Sequence, residues 1–113
     1  MMAINQVIIT GNLGNDPETF YSGDGLPIAS FSLAFNSNSS KKEKTNWIKV
    51  VCFNRLAEVV TEWLAKGSKI TVSGSLTQDM WEADDGTKKS AYKILAHNLE
   101  FIRTKKDKEE EPF

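Results

Sequence analysis

The stretch WIKVVCFNRLAEVVTEWLAKG, residues 47–67, decides the fold. Its first seven residues are apolar at nearly every position, the pattern of a strand covered on both faces, which predicts neighbours on either side. The strand has two alternating sets: Trp47, Lys49, Val51 and Phe53 on one face, and Ile48, Val50 and Cys52 on the other. One set must fill an interior. Asn54 then offers an N-cap, and Leu56, Val59, Val60, Trp63 and Leu64 follow at the spacing of one helical stripe, closed by Lys66 and Gly67. That stripe predicts core positions throughout, Trp63 included.

Strand signals surround this unit. Upstream, residues 4–13 (INQVIITGNL) are rich in β-branched side chains and run into Gly11 and Gly14, which suits a sharply bent strand. Turns follow at 15–17 and at 22–27, where Gly23 and Gly25 are expected to supply positive φ, and a short strand, residues 18–21, lies between them. Residues 28–36 alternate, with Ala29, Phe31, Leu33 and Phe35 on one face. Residues 37–46 (SNSSKKEKTN) contain no apolar side chain and read as an exposed, mobile hairpin loop. Downstream of the helix, Ile70, Val72, Gly74 and Leu76 alternate with polar residues, and a turn at Asp84, Asp85 and Gly86 leads to a last strand over 90–102. Short strand aside, the order is three strands, one helix and two strands. Five bent antiparallel strands with a helix between strands 3 and 4 make the all-β Greek-key barrel called the OB-fold. An SH3-like barrel has no place there for a helix of three turns.

Composition bounds what such a barrel does. The chain of 113 residues is 40% hydrophobic and 26% charged, which is ordinary globular composition for one domain. Its longest apolar runs fall far below the roughly 20 residues of a membrane span, and its first six residues lack signal-peptide grammar, so a soluble, unexported, cytoplasmic protein is expected. One cysteine, Cys52, and one histidine, His97, leave no internal disulfide, Cys-rich zinc site or His-based triad, and no cofactor or metal is expected. The net charge of −1 hides an asymmetry. Residues 107–113 hold four acids and one base, so residues 1–106 carry 13 bases against 11 acids, or +2.

A barrel this small is filled by its own side chains, so function falls to its outer face and loops. With Ile48, Val50 and Cys52 inside, Trp47 and Phe53 would flank Lys49 in the open. Aromatics interleaved with cations suit single-stranded nucleic acid, because bases stack on the rings while ammonium groups follow the phosphates. Trp81, beside the Asp84–Asp85–Gly86 turn, is hard to bury and joins them; Arg55, Lys66, Lys69, Lys88, Lys89 and Lys93 are candidate phosphate contacts. Against this, aromatics at period two in a strand are more often core than platform, and scattered lysines usually serve only solvation. Duplex reading is excluded by the lack of a groove-entering helix, since the one helix spends its stripe on packing. Adjacent acids such as Asp84 and Asp85 cannot easily aim at one ion, so no enzyme is expected. The end of the chain, Glu109, Glu110, Glu111, Pro112 and Phe113, has the character of a docking peptide for a basic, hydrophobic pocket.

These residues resemble the bacterial-type single-stranded DNA-binding proteins. The resemblance is carried by NQVIITGNLGNDPE (5–18), TNWIKVVCFNRLAEVVTEWLAKGSKITVSGSL (45–76), the Trp81 hairpin and the terminal EEEPF, and spans about 105 positions. It implies a whole small member of the family: an OB-fold domain over 1–103, a short acidic disordered tail over 104–113, and assembly as a homotetramer. It further implies nonspecific binding and protection of single-stranded DNA in replication, recombination and repair. By motif position, Trp47, Phe53 and Trp81 are similar to the family's stacking residues, Lys49, Arg55, Lys66 and Lys89 to its phosphate contacts, and residues 109–113 to its partner-recruiting tip. A primosome-type OB accessory protein, or an OB module for protein or oligosaccharide, is the alternative. Three departures stand out. Asn36 to Ser40 occupy the place of a common tryptophan, Gln78, Asp79 and Met80 that of common basic residues, and the long linker is missing.

Overall fold

The structure, a computed structural model, describes residues 4–38 and 43–104. In chain order its elements are β1 (Val7–Leu13), β2 (Glu18–Tyr21), β3 (Pro27–Asn38), β4 (Glu43–Phe53), α1 (Arg55–Trp63), β5 (Lys69–Glu82) and β6 (Lys88–Arg103). The sheet order is β1-β5-β6-β4-β3-β2, and a further pairing of β1 with β3 closes five strands into a ring. This is the expected OB-fold. Short β2 pairs only with β3, outside the ring, so α1 still follows the third barrel strand. One expectation is corrected: β4 and β6 run parallel, because two antiparallel hairpins meet there side by side.

The ring consists of two parts. β1, β5 and β6 form one and the β3–β4 hairpin the other, each held by antiparallel ladders, with short β2 added on the far edge of β3. Two short seams join them: Asn12 and Leu13 against Ala34 and Leu33, and Lys49, Val50 and Val51 against Lys93, Ile94 and Leu95. Inside lie Ala29, Phe31, Leu33, Val50, Cys52, Ile70, Val72 and Ile94, with Ala57, Val60 and Leu64 of the helical segment covering one end. Each large aliphatic side chain so buried contributes roughly 1.5–3 kcal/mol.

Several local expectations change. The strand over 47–53 is not covered on both faces: Ile48, Val50 and Cys52 turn inward, whereas Trp47, Lys49 and Phe53 stay exposed and only Val51 is buried among them. Trp63 is half-buried and outside the core, since α1 ends there and the chain turns extended at Leu64. Asn54 stands at the N-cap through a positive φ of 56° with no side-chain capping bond; its carbonyl accepts from Glu58 N at 3.1 Å. Gly25 supplies the positive φ of the 22–27 turn, and Gly23 does not. The polar stretch 37–46 is mostly strand: β3 runs to Asn38 and β4 starts at Glu43, because cross-strand backbone bonds need no apolar side chain. The remaining loop residues 39–42 and the tail residues 105–113 lie outside the described residues.

Close strand approach explains two glycines. A Cβ on Gly11 would strike the backbone carbonyl of Ala34 where β1 reaches β3, and one on Gly74 would strike the carbonyl of Leu95 at the bulge between β5 and β6. Gly74→Ala should therefore destabilise by about 1–3 kcal/mol in urea unfolding, as overpacking does. Gly23→Ala, with open space around it, should stay within roughly 0.5 kcal/mol. Burial without a charged partner pushes the Cys52 thiol up to about 12. Its neutral form is thus favoured by folding; that contribution is complete below the unfolded-chain value near 9.0 and is lost as pH rises towards about 12. Unfolding titrations over this range should show a decline that Cys52→Ala removes, and a thiol reagent at pH 8 should leave the native protein unmodified.

Candidate nucleic-acid interface

Period two in β4 fixes the site. Because Ile48, Val50 and Cys52 face inward, Trp47, Lys49 and Phe53 must face outward, and Trp47 and Phe53 keep 61% and 44% of their surface. Cross-strand partners on β3 are small for the first two, Ala34 opposite Trp47 and Ser32 opposite Lys49, with Ser30 opposite Val51, whereas Phe53 stands opposite Ile28. Nothing tall stands across from Trp47 on β3. Trp47 is seated from below, since a Cβ on Gly14 would overlap its six-membered ring; the glycine lets the indole lie against the β1–β2 turn. Asn15 pins that turn, its Oδ1 accepting from Ser32 N at 2.8 Å, while Gly14 N donates to Ser32 O at 2.8 Å.

The same face continues onto the β5–β6 hairpin. Cross-strand partners share a face, so Lys49 carries the outer surface to Lys93, Lys93 to Thr77, and two-residue steps lead to Asp79 beside Ala91 and Trp81 beside Lys89. Trp81, 49% exposed, thus faces the same side as Trp47. The structure brings Trp47, Lys49, Phe53, Trp81 and Lys89 onto one surface. Arg55 opens α1 two residues beyond Phe53 and is exposed. Lys66 stands apart, in the loop after α1, tied to the β1–β2 turn by its backbone N–H to Asp16 Oδ1 at 2.8 Å.

Two shallow hollows mark this surface. One of about 250 Å³ is bordered by Asn15, Glu18, Ser30, Ser32 and Lys49. The other, of about 540 Å³, adds Phe35, Asn46, Trp47, Ile48, Ala91 and Tyr92 to the shared Ser32 and Lys49. Tyr92, 54% exposed, is an aromatic that the sequence reading passed over. Its parity with Ile94 marks it as interior, yet it lies beyond the barrel end, where the inner face is uncovered.

Not every cation on this face is free. Lys93 Nζ and Asp79 Oδ2 are 3.0 Å apart, so one ammonium carries its own carboxylate. Asp85 is committed elsewhere: it accepts from Thr87 N at 3.0 Å, and that backbone bond holds its carboxyl below the usual range. It serves the Gly86 turn. His97 is exposed, and Cys52, with its raised pKa, is an apolar filler.

Residues 4–102 match the Single-strand binding protein family. The chain belongs to that family. Single-strand binding relatives include the single-stranded DNA-binding protein of Xanthomonas axonopodis pv. citri, 39% identical over 104 residues, covering 88% of this chain and 58% of the relative. Single-stranded DNA-binding protein 1 of Xylella fastidiosa is 37% identical over 113 residues, covering 95% and 83%. The chain spans somewhat over half the length of the first of these. Among solved structures, a Plasmodium falciparum SSB in complex with ssDNA superimposes with a TM-score of 0.83 at 25% identity, covering 90% of this chain and 97% of that one. The family's barrel therefore accounts for nearly all the described residues.

Exposure of two indoles and partial burial of the third make a spectroscopic prediction. Acrylamide should quench most of the tryptophan emission of the folded protein, and the double variant Trp47→Phe, Trp81→Phe should leave a blue-shifted, less quenchable signal from Trp63.

Proposed function

We propose that the protein binds single-stranded DNA without sequence choice, stacking bases on Trp47, Phe53 and Trp81 and drawing phosphates to Lys49, Arg55, Lys66 and Lys89. The observation that carries this reading is the open outer face of β4, where Trp47 and Phe53 stand exposed on either side of Lys49 and the partners of Trp47 and Lys49 on β3 are only Ala34 and Ser32. Every base has a π-face, so stacking tolerates any sequence. The DNA-bound state of the Plasmodium falciparum neighbour, and the bacterial relatives being single-stranded DNA-binding proteins by name, support it.

The finer reading extends to cell and assembly. Coating of this kind protects exposed strands in replication, recombination and repair, a non-catalytic role in the cytoplasm at the nucleoid. Residues 109–113 recruit replication and repair proteins through their acidic, apolar tip. The chain works as a homotetramer. Supporting self-association, β1 pairs with β3 only at Asn12 and Leu13, leaving its edge from Val7 to Gly11 open next to Ile8, which is 63% exposed.

The test is titration with oligo-dT. Tryptophan emission should fall on binding, and log affinity should decline with log salt by roughly 0.7 per phosphate neutralised. Trp47→Ala or Trp81→Ala should each cost roughly 1–3 kcal/mol. Asp79→Asn should tighten binding and steepen the salt slope, because Lys93 is released to a phosphate. Unchanged emission with no binding would remove the reading. Native mass spectrometry should show four subunits per particle, and deletion of residues 109–113 should spare DNA binding while abolishing partner pull-down.

A further inference from the structure

We infer that the larger hollow is a separate subsite that holds one unpaired nucleobase between the two hairpin arms, with Tyr92 supplying an aromatic wall. The inference rests on the single-strand reading above and goes beyond it. Its origin is the short parallel seam. β4 and β6 pair at Lys49, Val50 and Val51 with Lys93, Ile94 and Leu95; upstream, among the described residues, the strands part and form no ladder. The edges of 46–48 and of 91–92 therefore border a slot instead of a sheet.

Three features suit that slot to a base. Its volume of about 540 Å³ lies within the roughly 300–1,000 Å³ of clefts that take small planar ligands. Its walls carry three rings, Trp47, Tyr92 and Phe35, and both Trp47 and Tyr92 are more than half exposed, so a partner can reach them. Lys49 borders this hollow and its smaller neighbour alike, so a phosphate held there leaves the attached base at the mouth of the slot. The strand edges add backbone donors and acceptors of both kinds, which favour no single base. Continuity with the outer face of β4 argues for nucleic acid over a peptide: an extended peptide would need one long free edge, and here two short ones diverge.

The full chain is tested with oligo-dT carrying 5-iododeoxyuridine at single positions, irradiated and mapped by mass spectrometry. An adduct on Tyr92 is expected; adducts confined to Trp47, Phe53 and Trp81 would overturn the subsite. In parallel, Tyr92→Leu should weaken oligo-dT binding roughly 5- to 150-fold, the loss of one stacked base, whereas Tyr92→Phe should bind as the unsubstituted chain does. If Tyr92→Leu binds normally with full tryptophan quenching, the subsite falls and the wider reading stands. If the unsubstituted chain fails to bind, both fall together. Adduct formation on the unsubstituted chain does not depend on the folding of any variant.

Discussion

Burial of Val50 and Cys52 is the constraint from which the rest follows. Both have no solvent exposure, and together with Ile48 they pin β4 to the barrel interior. A strand alternates strictly, so placing these three inside forces Trp47, Lys49 and Phe53 out. A one-residue slip would send two large rings into a space already filled by Leu33, Phe31 and Ile94, and the core would resist it. The exposed rings are thus not left over from folding. Their position is set by the same hydrophobic term that stabilises the barrel, and the surface chemistry is as firmly specified as the core.

Small residues then decide how usable that face is. Ser30, Ser32 and Ala34 keep the neighbouring strand low, and Gly14 lets Trp47 settle against the β1–β2 turn. Gly11 and Gly74 do comparable service within the barrel, allowing β1 to reach β3 and β5 to bulge past β6. Charge is distributed less generously. Asp79 occupies Lys93, a local expression of a chain whose acids and bases nearly cancel, and it tempers the pull of the face on polyanions.

Most of the fold is legible in the sequence because its signals are periodic. The stripe of Leu56, Val60 and Leu64 and the alternation of Ile70 with Val72 translate directly into an end cap and a barrel strand. What escaped had a physical reason in each case. The hairpin arms at 37–38 and 43–46 lack apolar side chains, so strand extension driven by backbone bonding leaves no trace in hydropathy. The helix ends earlier than its stripe, which leaves Trp63 half in water. Tyr92 carries the parity of a core residue, and only knowledge of where the barrel stops reveals that its side of the hairpin is bare. By contrast Trp81 was readable as exposed from its nearness to a turn, whereas alternation over 47–53 offered two faces and left open which of them, with Trp47 and Phe53 or with Val50 and Cys52, turned outward.

The two short seams give the barrel an anisotropic stiffness. The β5–β6 and β3–β4 hairpins are braced by long ladders, but the two parts of the ring meet through only a few backbone pairs on either side. The joints are where the fewest backbone pairs resist opening, so small relative movement of the two parts costs least there. Purines and pyrimidines differ in width, and under the proposed mode of binding a site bordered by such joints would take either without refolding. Indifference to base identity would then be a mechanical property of how the ring is sewn together, as much as a chemical property of its aromatic side chains.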